Sequence, residues 1–191
     1  FIKYKLFTKE VELSDAQTLR NLSEIQPKEI LKTTFKKAID ELTVTDKGTA
    51  EVKNYISLKL SKPKIAENQP FIVPKKSVFN KIIGDNPFEL EFASFLESRF
   101  DDVVSYAKNT MGEGGINFKI EYQAQDGNIR EYYPDFFVKT NDKTFYIVET
   151  KGREDLDDIR KIQRLFVWCK DINTAQKDYT YSPVYIKQEK W

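Results

Sequence analysis

Histidine is absent from the 191-residue sequence, and cysteine and methionine each occur once. No imidazole is available to move protons near neutral pH, and a lone thiol cannot complete a zinc site, so both chemistries are excluded. Cys169 cannot form an internal disulfide, and no signal-peptide pattern opens the chain, so a reducing, cytoplasmic setting is expected. No apolar run approaches the roughly 18 residues of a membrane helix, so no membrane partner is expected. A GxxxxGK[ST] phosphate loop is also missing, which places any ATP hydrolysis outside this chain. A metal bound here would have to rest on oxygen ligands.

Apolar residues make up 40% of the chain and aromatic residues 14%, enough to build a core, while 32% are charged. The net charge of +1 hides an uneven distribution. Residues 1–80 carry 15 Lys/Arg against 10 Asp/Glu, whereas residues 81–191 carry 16 against 20. The first part is suited to polyanions, and the second would repel them unless cations offset its carboxylates. The chain begins at Phe1 rather than Met, so a piece of a longer polypeptide is expected.

Periodicity divides the chain further. Residues 27–42 place Ile30, Leu31, Phe35, Ala38, Ile39 and Leu42 at helical spacing. Asp46, Lys47 and Gly48 suggest a turn, residues 52–60 alternate as a strand, and Pro63, Pro70 and Pro74 mark a linker over residues 61–77. Asn86 and Pro87 can cap and open a helix that runs to about Phe100. Residues 116–124 and 129–139 read as strands about a Gln125-Asp126-Gly127-Asn128 turn, and 144–151 as a third, apolar strand. Asp155 or Asp157 can start a helix to about Lys170, with Ile159, Ile162, Phe166 and Cys169 as its apolar stripe. Residues 182–187 form a last strand. Met111-Gly112-Glu113-Gly114-Gly115 reads as a flexible connection and Trp168 as core. Of the adjacent Tyr132 and Tyr133, one must face outward.

Residues two apart on a strand share a face, so Glu149 and Lys151 project together from the charged end of an otherwise apolar strand. A short hairpin brings Asp135, just after Pro134, alongside Glu149. Two carboxylates in one space repel each other, or take up a divalent cation. Magnesium suits such a site: it needs a carboxylate or two, a carbonyl such as that of Thr150, and a substrate phosphate; manganese can replace it. Lys151 would hold the attacking water or help deprotonate it. For the carboxylates to share a face, Asp135 must oppose Glu149, leaving the loop Asn141-Asp142-Lys143; otherwise a bulge beside Pro134 must absorb one residue. In that three-residue loop Asn141 or Asp142 would best tolerate the left-handed region.

Tyr133-Pro134-Asp135 followed by Glu149-Thr150-Lys151-Gly152 resembles the PD-(D/E)XK nuclease signature. Together with Phe88-Glu89, Phe92-Ala93, Tyr106-Ala107-Lys108, Tyr122 and Phe136, it is similar to the C-terminal endonuclease domain of type III restriction enzymes. That resemblance implies an α/β domain of restriction-endonuclease type over residues 81–191, a central mixed sheet flanked by helices in the order α-β-β-β-α-β. Residues 1–80 would be an accessory or connecting region. Implied with it are magnesium-dependent DNA cleavage, a helicase or translocase region elsewhere in the same longer polypeptide, and a separate modification (methyltransferase) subunit. A glutamate from the first helix is implied as a further metal ligand or supporting group. Glu89 lies on the buried stripe with Phe92, Ala93 and Leu96, whereas Glu91 lies off it. Lys108, Lys161 and Gln163 become candidate contacts to DNA. Two rivals remain: a repair or recombination nuclease on the same core, and a catalytically silent module that only binds.

Overall fold

The computed structural model describes residues 1–7, 9–45, 49–66, 68–152 and 156–191, with the backbone alone over 40–45. The turn expected at Asp46, Lys47 and Gly48, Asp155 as a helix start, and the Leu42 side chain lie outside this description. The chain divides into two compact units, residues 1–47 with 123–129, and residues 48–122 with 130–191. Among the described residues no helix is long and apolar enough to cross a membrane.

The first unit contains helices α1 (Ala16–Leu22) and α2 (Ile25–Thr45). Asp15 caps α1 by accepting a 2.8 Å hydrogen bond from the Thr18 amide. Helix α2 covers the span expected from its periodicity, but Ile30, Phe35 and Ile39 of its apolar stripe are exposed.

The second unit opens with a correction. Residues 52–60 are not a strand: they carry no regular structure up to a single 3-10 turn at Leu58–Leu60. Tyr55, Ile56 and Leu60 stay exposed, because alternation yields a strand only where another strand supplies hydrogen bonds and a covered face. Residues 61–77 are likewise no free linker. The Lys62 amide donates to the Gly114 carbonyl at 2.7 Å, which also pins the glycine-rich connection. The amides of Lys75 and Lys76 donate to the Glu97 carboxylate. Strands β1 (Phe71–Ile72) and β2 (Ile82–Ile83) form a short antiparallel pair.

Helix α3 (Pro87–Arg99) starts where its cap signal places it: Asn86 Oδ1 accepts from the Glu89 amide at 3.1 Å. Next comes strand β3 (Val103–Lys108), which the sequence pattern did not single out. Strand β4 (Ile120–Gln123) is shorter than expected, and the expected strand 129–139 is two, β5 (Ile129–Tyr132) and β6 (Phe136–Thr140). Pro134 explains the break, since it has no amide to donate to a ladder. Strand β7 (Thr144–Lys151) has the expected bounds; helix α4 (Asp158–Ala175) and strand β8 (Thr180–Lys187) follow.

The central sheet has the order β3-β6-β7-β8, antiparallel except for the parallel pair β7 and β8. It is a mixed sheet flanked by helices, an α/β architecture compatible with the restriction-endonuclease type. On one face Phe136, Val138 and Val148 pack with Phe92, Ala93 and Leu96 of α3. Fully burying a side chain such as Phe136 contributes about 2–3 kcal/mol. On the alternate residues, Phe137 meets Phe118, which meets Trp168 of α4, which meets Tyr181 of β8, all edge to face. Helix α4 matches expectation only in part: Cys169 of the expected stripe is buried, but Ile159 and Phe166 are exposed, and Asp158 and Leu165 are buried instead.

The β6–β7 register pairs Phe136 with Val148 and Lys139 with Phe145. It leaves Asn141-Asp142-Lys143 as the loop, while Asp135, just outside the ladder, donates its amide to the Val148 carbonyl at 2.9 Å, so the regular pairing stops at Phe136. The left-handed residue is Lys143, at φ 66°, rather than Asn141 or Asp142. Asp142 instead accepts from the Thr140 hydroxyl at 2.6 Å and the Thr144 amide at 3.0 Å. Lys143→Gly should therefore stabilise the protein by up to about 1 kcal/mol, and Asp142→Ala should cost about 1 kcal/mol. Urea denaturation of the two variants reads both signs.

Candidate active site

Asp135 sits in the gap that Pro134 opens between β5 and β6, and its backbone is clamped from both sides. Its amide donates to the Val148 carbonyl at 2.9 Å, and its carbonyl accepts from the Asn109 amide at 2.7 Å. The Asn109 side chain also donates to the carbonyls of Pro134 and Phe118, each at 2.8 Å. The Asp135 carboxylate then takes the place of a strand carbonyl, because Oδ2 accepts from the Thr150 amide and the Thr150 hydroxyl, both at 2.7 Å. This orients the carboxylate toward the end of β7.

Glu149 lies at that end. The Tyr132 hydroxyl donates to its Oε2 at 3.1 Å, which settles the choice between the two tyrosines: Tyr132 points inward and is buried. Burial raises the Glu149 pKa to about 8, the neighbouring charge of Asp135 adds to the rise, and Tyr132, Lys151 and Lys161 only partly oppose it. Burial also pushes the Asp135 carboxyl up, although its bonds from Thr150 pull the other way. Two carboxylates whose pKa values burial raises favour an added positive charge beside them.

Lys151, two residues beyond Glu149, forms a 2.9 Å ion pair with Asp158 Oδ1 at the start of α4. Lys161 approaches the same oxygen at 3.5 Å, and its ammonium lies over the Tyr122 ring. Asp157 accepts from Arg130 at 3.2 Å and from the Tyr122 hydroxyl at 3.4 Å. Asp158 and Asn109 therefore organise the site without having been singled out in the sequence. An acid in the first turn of α4 was the available signal for Asp158; Asn109 gave none, because its partners are distant backbone carbonyls.

Glu89 is buried in a different setting. It accepts from the Asn86 side-chain amide on Oε1 at 2.8 Å and from the Asp85 backbone amide on Oε2 at 2.9 Å. Burial raises its pKa, opposed by Lys108 and the Asp85 amide and assisted by the charge of Asp135. Glu91 is exposed. Among the described residues no group of three or more acidic, histidine or cysteine side chains is arranged to hold a metal ion. A cation at this site would draw on Asp135 and Glu149, with main-chain oxygen such as that of Thr150 alongside. The donor set fits a hard divalent ion, since it offers carboxylate and carbonyl oxygen and no soft ligand.

Lys108 does not fit the role of a DNA contact. It is buried, with Nζ 2.5 Å from Asp85 Oδ2 and 3.0 Å from Glu89 Oε2. Burial alone would lower its pKa, but the hydrogen bond to Asp85 and the charge of Glu89 outweigh it, and the group stays charged. Lys108→Met should cost about 3 kcal/mol in chemical denaturation, because it strands the buried Glu89 carboxylate. Gln163, in contrast, is exposed on α4.

The family model described as TnsA-like endonuclease N terminal matches residues 101–183, which include Asp135, Glu149 and Lys151. The match supports a nuclease domain of the PD-(D/E)XK superfamily, to which Tn7 TnsA belongs, and nucleases of this superfamily generally use divalent metals. No curated protein and no solved structure matches the chain significantly.

Proposed function

We propose, taking a nuclease domain over residues 101–183 as the premise, that residues 81–191 are the cleavage domain of a magnesium-dependent DNA endonuclease. The observation that carries this reading is the meeting of Asp135 and Glu149 at adjacent strand ends, each desolvated, with Lys151 beside them. Asp135 and Glu149 would hold the ion, with the Thr150 carbonyl as a further ligand. When bound, magnesium offsets charge that develops on the phosphate oxygens and makes a water more acidic.

The remaining steps belong to the chain. Thr150 fixes the direction of the Asp135 carboxylate, and Tyr132 does the same for Glu149. Asp158 holds the Lys151 ammonium at the strand end, where it donates to the attacking water or to a phosphate oxygen. Lys161 and Gln163 on α4 line the approach of the DNA backbone, and residues 1–80 serve as an accessory region.

The motif run from Phe88-Glu89 to Gly152 favours the cleavage domain of a type III restriction enzyme. It would act in the cytoplasm with a helicase or translocase region of the same longer polypeptide, which uses the ATP, and with a methyltransferase subunit. A recombination nuclease on the same core is the second reading, and the TnsA-like match favours it.

Plasmid cleavage tests the proposal. Magnesium or manganese should support cutting, whereas calcium should support DNA binding without cutting, because it tolerates irregular geometry and is a poorer acid toward water. Undiminished cleavage in excess chelator contradicts the metal-dependent reading. A requirement for ATP and a methyltransferase subunit selects the restriction reading over the recombination one.

A further inference from the structure

Apart from Asp135 and Glu149, two further acids, the exposed Asp85 and the buried Glu89, share one ammonium. Lys108 extends from the end of β3 to a point 2.5 Å from one Asp85 oxygen and 3.0 Å from one Glu89 oxygen. Its side chain is almost wholly buried, as is that of Glu89. A space between two carboxylates is one that a divalent cation could take, drawing the oxygens closer, if the lysine were absent.

We propose that this nuclease site takes one divalent cation rather than two, because the Lys108 ammonium permanently fills the second cation's place between Asp85 and Glu89. The inference rests on the metal-dependent reading above and deepens it.

Two points support the substitution. An ammonium has three donors and no acceptor, so it satisfies two carboxylates as a fixed positive charge. Finally, the Glu89 oxygens are already engaged by Asn86 and the Asp85 amide, which fixes them toward Lys108 rather than toward a neighbouring ion. The lysine thereby supplies a fixed positive charge to Asp85 and Glu89 without a second metal. The ion held by Asp135 and Glu149 must then carry the catalytic chemistry unaided, with Lys151 as its only cationic companion from β7.

The test counts bound manganese by electron paramagnetic resonance and calorimetry on the intact chain, without DNA. Wild type should bind one ion. Glu89→Gln should also bind one, because Glu89 holds the lysine and not the ion. Lys108→Ala, which opens space between the two acids, should bind two. Two ions in wild type, or loss of the single ion in Glu89→Gln, overturns the inference even if Lys108→Ala fails to fold. One ion in a folded Lys108→Ala overturns it as well. No ion in wild type instead removes the metal-dependent reading on which the inference stands, and the inference with it.

Discussion

Asp135→Asn and Glu149→Gln each lower magnesium-dependent cleavage by about 1,000-fold or more while the protein stays folded. The size follows from what each removes: a charged ligand in a water-poor site, where transition-state charge has few other partners. The amide variants are the informative ones. Asparagine at 135 still accepts from the Thr150 amide and hydroxyl, and glutamine at 149 still accepts from Tyr132, so the local hydrogen bonds survive. Lys151→Met belongs with them, although its loss also leaves Asp158 buried without its nearest cation, so its stability needs checking alongside. Rates come from plasmid cleavage and folding from thermal unfolding; either amide variant cutting at more than a tenth of the wild-type rate takes that residue out of the catalytic site.

The second large effect is on stability in the absence of metal. Burial raises Glu149 from an ordinary 4.5 to about 8, so folding takes up a proton between those values. Below pH 4.5 the carboxyl is protonated in both states and nothing is lost. As pH rises from there through 8 the folded state must ionise a desolvated group, and stability falls by on the order of 4 kcal/mol. In chelator, wild type should therefore lose stability from pH 5 to pH 8.5, and Glu149→Gln should be much flatter. Magnesium should restore wild type at high pH and leave Glu149→Gln unchanged, because the ion takes the place of the proton. Parallel pH profiles for the two proteins would contradict the account of Glu149.

How far the sequence reaches differs from part to part of the molecule. The cap at Asn86 and the bounds of β7 are local signals, and they were legible. So was the loop at Asn141-Asp142-Lys143, because two carboxylates on one face admit only an odd loop or a bulge. The left-handed residue within it was not: Asp142 is held by Thr140 and Thr144, and the strain passes to Lys143. Strand β3 escaped because Val103–Lys108 includes no turn signal and ends in a lysine whose partners, Asp85 and Glu89, lie before and within α3. Residues 52–60 show the opposite failure, an alternating pattern with no neighbour to pair with. Helix α4 was placed and its Cys169 is buried as expected, but Asp158 is buried too, paired with Lys151, a tertiary fact the apolar stripe does not show.

The same division runs through the site. Asp135, Glu149 and Lys151 stand out because strand spacing and Pro134 bring them to one end of the sheet. The groups that orient them, Asn109, Tyr132 and Asp158, come from other elements and act through single hydrogen bonds or ion pairs that no spacing rule encodes. Lys108 shows the cost of judging a residue by type alone, for its charge is directed inward to Asp85 and Glu89.

The most direct measurement is the anomalous scattering of manganese in crystals grown with the ion and a short DNA duplex. A peak roughly 2.0–2.2 Å from carboxylate oxygens of both Asp135 and Glu149 is the expected result. A well-occupied peak elsewhere in the molecule, with neither carboxylate in contact, would contradict the assignment of these two residues as the ion's ligands.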